Sequence, residues 1–241
     1  MQYMKKTLPT ILCAVFLLAF SGVSVADWFL SSETKALIAK ADAGDVDAQF
    51  RVGSAYDTGN GAPRSAENAM KYYLMAAEKG HAKAQNSVGS ALQAEEKYSE
   101  ALVWFERAAA QGHALATNNL AFLYDLGRGV KQDRRKGFEL YSRAADLGWA
   151  ESMWNIANMY GAGQLGQIDM VSACVWTMRT RKYANPNDQR LQAQLTRITP
   201  YLERTLSSSD MEKCKQQADG WAPKRSAQQG VPGDAPKAAL P

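Results

Sequence analysis

The 241-residue chain is poor in the residues that most often carry chemistry. It has two histidines, His81 and His113, and three cysteines, Cys13, Cys174 and Cys214. No Cys or His pair among them has zinc-ligand spacing, so no metal site is expected. A His-Glu-x-x-His run and a Gly-x-Ser-x-Gly elbow are both missing, which removes two common routes to hydrolysis. Glycine-rich turns occur, but none joins a strand to a helix as a phosphate loop does, so no cofactor is expected. Charge of one sign is also missing. The 28 Lys and Arg against 24 Asp and Glu give a formal net charge of +4. Such a balance offers no electrostatic case for nucleic acid. The long hydrophobic run is confined to residues 11–20, well short of the roughly 20 residues that a spanning helix needs.

That run has the setting of an export leader. Lys5 and Lys6 precede it, and Ser24-Val25-Ala26 follows with the small-x-small pattern that signal peptidase requires. Residues 1–26 are therefore expected to be removed after Ala26, leaving a periplasmic or secreted chain without a stable membrane span. An uncleaved anchor is the competing reading, against which the length of the run argues. Loss of the leader leaves 26 basic against 24 acidic side chains. It also leaves two cysteines, in a compartment that permits disulfides.

What the chain does have is repetition. Four helix-like segments end at Gly44, Gly80, Gly112 and Gly148, spaced 36, 32 and 36 residues apart. A helix that stops in the left-handed conformation does so with least clash at glycine. After each Gly a new helix is expected, with small residues at Ala48, Ala84, Ala116 and Ser152. Small residues recur five positions later at Gly53, Gly89, Ala121 and Ala157. Tyr56, Leu92, Tyr124 and Tyr160 then fill the gap between paired helices. The turns Gly59-Asn60-Gly61 and Gly127-Arg128-Gly129 lead into return helices registered by Ala69, Ala101, Gly137 and Ala173. One helix pair of this length cannot bury its apolar face alone, so stacking has to supply the core.

These residues resemble the Sel1-like repeat, a relative of the tetratricopeptide repeat. Its pattern runs Ala-x-x-x-Leu-Gly-x-x-Tyr-x-x-Gly-x-Gly-Val, then Asp, then Ala-x-x-Trp-Tyr-x-x-Ala-Ala-x-x-Gly. The third copy matches best, with Ala116, Leu120, Tyr124, Gly127, Gly129-Val130, Asp133, Tyr141, Ala144-Ala145 and Gly148. The second lacks the Gly-x-Gly turn and bridges its helices with Ala94-Glu95-Glu96-Lys97. The fourth has Thr180-Arg181 where the Ala-Ala pair belongs. The resemblance implies an all-α fold, a right-handed α-solenoid of about four helix–turn–helix repeats over residues 48–185. It also implies binding of another protein or peptide rather than catalysis.

Around the array, residues 27–47 are expected to hold an N-terminal capping helix, over 33–43. Residues 186–222 are expected to hold C-terminal capping helices over 189–204 and 210–220, the second capped by Ser209-Asp210. Residues 223–241, rich in Pro, Gly, Ala and Gln without an apolar period, read as a disordered tail. Cys174 shares the core column of Met70, Leu102 and Phe138, while Cys214 lies with Met211, Ala218 and Trp221 on one helical face. Both point to the junction of the fourth repeat with its cap. A disulfide there would close a 40-residue span and stabilise by about 4 kcal/mol in the chain-entropy account. Two buried free thiols are the alternative.

Candidate chemistry is thin. His81 and His113 occupy one repeat column, with Trp149 in the same place one copy on, so the repeat accounts for them. Ser32-Glu33-Thr34-Lys35 matches the Ser-x-x-Lys of penicillin-recognising enzymes without its companion motifs. A helix start capped by Ser31 or Ser32 explains it as well, and no catalytic residue is assigned.

Steps of three and four along the first helices give outward rows: Phe50, Ser54 and Asp57; Asn86, Ser90 and Gln93; Asn118, Phe122 and Asp125; Trp154 and Asn158. Aromatic side chains beside amides suit a binding hot spot. A partner patch of Asn118, Phe122, Trp154 and Asn158 on the concave face is therefore expected, unless Phe122 and Trp154 pack between repeats. The function expected is that of a monomeric exported scaffold, assembly factor or regulator. An immunity protein sequestering one toxic enzyme and a penicillin-recognising enzyme are the alternatives.

Overall fold

The computed structural model describes residues 30–224, with eleven α-helices and no strand among the described residues. The expected leader and residues 225–241 of the expected tail lie outside them. The chain divides into two compact units between Val88 and Gly89.

In the first unit, α1 (Ser32–Asp42), α2 (Val46–Thr58) and α3 (Ala66–Glu78) lead into α4 (Ala82–Ala94), which the unit boundary crosses. Each of the first three starts where a side chain replaces the missing backbone acceptor. Ser31 Oγ accepts from the Thr34 N–H at 3.0 Å, Asp45 from Ala48 at 2.9 Å and Ser65 from Asn68 at 3.2 Å. Glu33, Asp47 and Glu67 sit in the first turns, where the helix dipole favours negative charge. The chain leaves α1 and α3 through Gly44 and Gly80, at φ of 102° and 90°. Ala41, Ala48, Val52 and Tyr72 form the core, with Leu37, Ile38, Tyr56 and Met75 packed around them. Gly53 lets α3 approach α2, since a Cβ there would stand 2.6 Å from the Tyr73 ring. Two buried glutamines do the same task one repeat apart. Gln49 Nε2 donates to Ala41 O at 2.9 Å and Gln85 Nε2 to Ala77 O at 3.1 Å, each a carbonyl in the last turn of the preceding helix.

The second unit takes the end of α4 and adds α5 (Tyr98–Ala110), α6 (Ala114–Leu126), α7 (Arg134–Asp146), α8 (Ala150–Gly161) and α9 (Met170–Tyr183). Two more helices follow, α10 (Gln189–Thr205) and α11 (Ser208–Asp219). Successive helices pack on one another from α5 to α9, with α6·α7 and α8·α9 the tightest pairs. Phe105 takes the part that Tyr73 plays in the first unit. It is fully buried, 2.7 Å from where a Cβ on Gly89 would stand. Gly112 and Gly148, at φ of 80° and 89°, continue the left-handed column. In the shortened turn of the second copy the left-handed residue is Glu96, at φ 59°, the one such non-glycine among the described residues. An L residue in that conformation costs about 1–2 kcal/mol.

At the C-terminal end α11 lies on α9, and the Cys174–Cys214 disulfide joins them with 5.9 Å between the Cα atoms. Val175, Leu202 and Ala218 complete that core. Trp221, just past α11, meets the Trp176 and Tyr183 rings at 5.6 and 5.8 Å. The Arg179 guanidinium lies over both tryptophans, at 4.6 and 4.9 Å from the ring centroids. The last helix begins earlier than the expected Asp210. Its cap is Ser207, not Ser209, and the Ser207 Oγ accepts from the Asp210 N–H at 3.1 Å and donates to the Asp210 carboxylate at 2.8 Å. This reciprocal pairing places Asp210 in the first turn, where the dipole favours it. No helix among the described residues is long and apolar enough to cross a membrane.

Candidate partner-binding site

The four residues expected to form a partner patch all lie on α6 and α8, and the structure treats them differently. Asn118 is buried, with 8% of its surface exposed. Its Oδ1 accepts from Ser152 Oγ at 2.8 Å and from Asn155 Nδ2 at 3.2 Å. The Asn118 side chain is thus turned into the helix pair, where its amide ties α6 to α8. Ser152 makes this contact because its side chain is small enough for close approach and still carries a donor. Removing one partner of such a bond leaves a buried polar group unpaired, which costs about 1–3 kcal/mol.

The other three reach the surface. Phe122 and Trp154 are half-buried and Asn158 is exposed. Phe122 is partly roofed by Arg128, whose guanidinium stands 5.3 Å from its ring centroid and 5.2 Å from that of Tyr98. Arg128 also donates to the Tyr98 hydroxyl at 3.4 Å. Asn155, half-buried beside Trp154, and the Arg128–Tyr98 pair belong to this surface too. The sequence signal for Arg128 was its place between the turn glycines. Nothing local marks Tyr98, which lies 30 residues away.

Asp125, in the same outward row as Phe122, is half-buried. Burial pushes its carboxyl above the usual range, opposed by Arg134 at 3.9 Å. Its counterpart Asp57 is exposed and accepts from the Tyr73 hydroxyl at 3.3 Å.

The two histidines are helix caps. His81 Nδ1 accepts from the Ala84 N–H at 3.1 Å, and His113 Nδ1 from the Ala116 N–H at 3.2 Å. His81 stacks on Phe50 at 4.6 Å between centroids, with Nε2 3.4 Å from Asp47. Burial lowers its pKa from 6.5, against a smaller opposing pull from Asp47. That direction suits a cap, because only an unprotonated Nδ1 can accept. Ser32 and Lys35 stand exposed in the first turn of α1, whose cap is Ser31.

The profile of the Sel1 repeat matches the chain four times, at residues 46–81, 82–113, 114–149 and 150–176. The chain is similar to chitin synthase regulatory factor 3 of Schizosaccharomyces pombe, at 33% identity over 110 residues. That stretch is 45% of this chain and 12% of the yeast protein. Among solved structures it is similar to c5321, a protective antigen present in uropathogenic Escherichia coli strains and displaying an SLR fold. The TM-score is 0.71 at 26% identity, over 78% of this chain and 40% of that one. A Sel1 repeat protein from Oxalobacter formigenes gives a TM-score of 0.61 at 26% identity, over 78% of each chain. The chain thus spans less than half the length of the first two of these proteins.

Proposed function

The chain belongs to the Sel1 repeat family, and on that premise we propose that it is an exported interaction module. In this reading it is a scaffold, assembly factor or regulator that holds another protein of the cell envelope or the secreted fraction. Sel1 repeat proteins are in general protein–protein interaction modules. The yeast relative carries the name of a regulatory factor.

The observation that carries the proposal for this chain is the surface of α6 and α8. Phe122, Trp154 and Asn158 reach solvent there, while the Asn118–Ser152 bond fixes the spacing of the two helices beneath them. Large aromatic side chains on a pre-ordered surface bind with little loss of conformational freedom. Export is supported by the Lys5, Lys6 and Ser24-Val25-Ala26 flanks of the apolar run. A disulfide in the C-terminal core agrees with an oxidising compartment.

The test is purification of the full chain from the envelope fraction beside a Phe122→Ala/Trp154→Ala double variant. One dominant protein partner, lost from a variant that melts like the parent, is the expected result. No partner under native and crosslinking conditions would overturn the proposal.

A further inference from the structure

Resting on that reading, we infer that the turn of the third repeat and the start of α7 form a docking face for an acidic segment of the partner protein. The near balance of charge over the whole chain conceals a local excess. Residues 128–136 hold five basic side chains, and Arg128, Lys131, Arg134, Arg135 and Lys136 are all exposed. Arg134 leans towards Asp125 at 3.9 Å, while the Arg135 side chain is 91% exposed and pairs with Glu139 at 3.8 Å. An exposed pair of that kind contributes little. The Asp133 carboxylate within the run is occupied as the α7 cap, accepting from the Lys136 N–H at 2.8 Å.

Three cations in succession stand at the start of α7, where the helix dipole disfavours them by a few tenths to about 1 kcal/mol each. Beside them the Arg128 guanidinium stands over the Tyr98 and Phe122 rings, at 5.2 and 5.3 Å from their centroids, contacts that favour one placement of its planar head. Leu126, two residues before it in the chain, is 45% exposed. Cations fixed next to open apolar surface match a segment that alternates Asp or Glu with an apolar or aromatic residue. A phosphate-dense surface fits less well, because the Asp125 and Asp133 carboxylates stand inside the cluster.

The test uses the full chain after export and a fluorescein-labelled peptide of alternating Glu and Phe, read by fluorescence anisotropy. Saturable binding that weakens as salt shortens the screening length is expected. Arg135→Glu/Lys136→Glu should weaken it at least about tenfold, and Arg128→Ala several-fold. Arg197→Glu/Arg204→Glu, the same change of charge on exposed positions of α10, should leave it unchanged, with all variants melting like the parent.

Equal losses in the two double variants overturn the proposal. So do absence of saturable binding and preferential binding to phosphatidylglycerol vesicles. In the envelope, partner crosslinking undiminished by Arg135→Glu/Lys136→Glu would remove this docking face and leave the interaction module standing. No crosslinked partner with the parent chain would remove both.

Discussion

At its N-terminal end the first unit is closed by hydrogen bonds, whereas at its C-terminal end the second is closed by a covalent bond. Around α1, the Ser31 N–H donates to Gly61 O at 2.8 Å, and the Ser31 and Thr34 hydroxyls share a bond of 2.9 Å. Gln49 adds its bond to Ala41 O, and an exposed Glu33–Arg51 pair lies outside. The turn of the first repeat supplies Gly61, so ordinary repeat geometry closes this end.

The other end departs from the repeat. The Ala-Ala pair that is buried at 76–77, 108–109 and 144–145 becomes buried Thr180 and exposed Arg181. Arg181 reaches across to Leu195 O and to the Thr199 hydroxyl on α10. Helices α10 and α11 follow another pattern, and a disulfide and the Trp221 cluster hold α11 to α9. The comparison teaches that a cap built on the repeat is held by its apolar face and by hydrogen bonds to the repeat's own turn, while one that leaves the repeat adds a crosslink.

The strongest way to break that comparison is Cys174→Ser with Cys214→Ser. A loss of about 4 kcal/mol is expected from urea melts. Faster amide exchange should be confined to α9 and α11, with α1 to α3 unchanged; a loss spread evenly over all helices would contradict it. Gly53→Ala comes next, at about 1–3 kcal/mol, because the methyl group collides with the Tyr73 ring. Ser31→Ala should cost about 1 kcal/mol, the usual worth of a cap. The ratio of the first loss to this one sharpens the contrast between the two ends, and both read out in the same melts.

His81 adds a pH dependence. Its folded pKa lies below 6.5, so its stabilising share is present above pH 6.5 and is lost as pH falls from there through the folded value. His81→Gln should flatten that acid-side decline in thermal melts, and an unaltered decline would assign it to other groups. The smallest effect expected is a gain of about 0.5 kcal/mol for Glu96→Gly, which relieves the left-handed backbone at a residue far from either end.

Much of the architecture was legible because helix punctuation is local. A Gly after an apolar period states where a helix stops, and its recurrence at 36, 32 and 36 residues states the repeat. The fate of Asn118 was not legible, since its partners Ser152 and Asn155 lie 34 and 37 residues away on another helix. The capping role of the two histidines is no more legible. An imidazole rarely fills that place, and only the geometry shows Nδ1 facing the N–H groups. Ser207 and Ser209 look alike as helix starts in the sequence, because neighbouring serines offer several equivalent caps. The basic face vanished into a net charge that sums over the whole chain and carries no position.

The central claim, a protein-binding surface on α6 and α8, is tested most directly by a photocrosslinking residue placed at Asn158 in the full chain. The same residue at Arg197, exposed on α10, serves as the control. The account predicts one discrete adduct with a second protein from position 158 and none from position 197. No adduct from 158, or the same adduct from both positions, would contradict it.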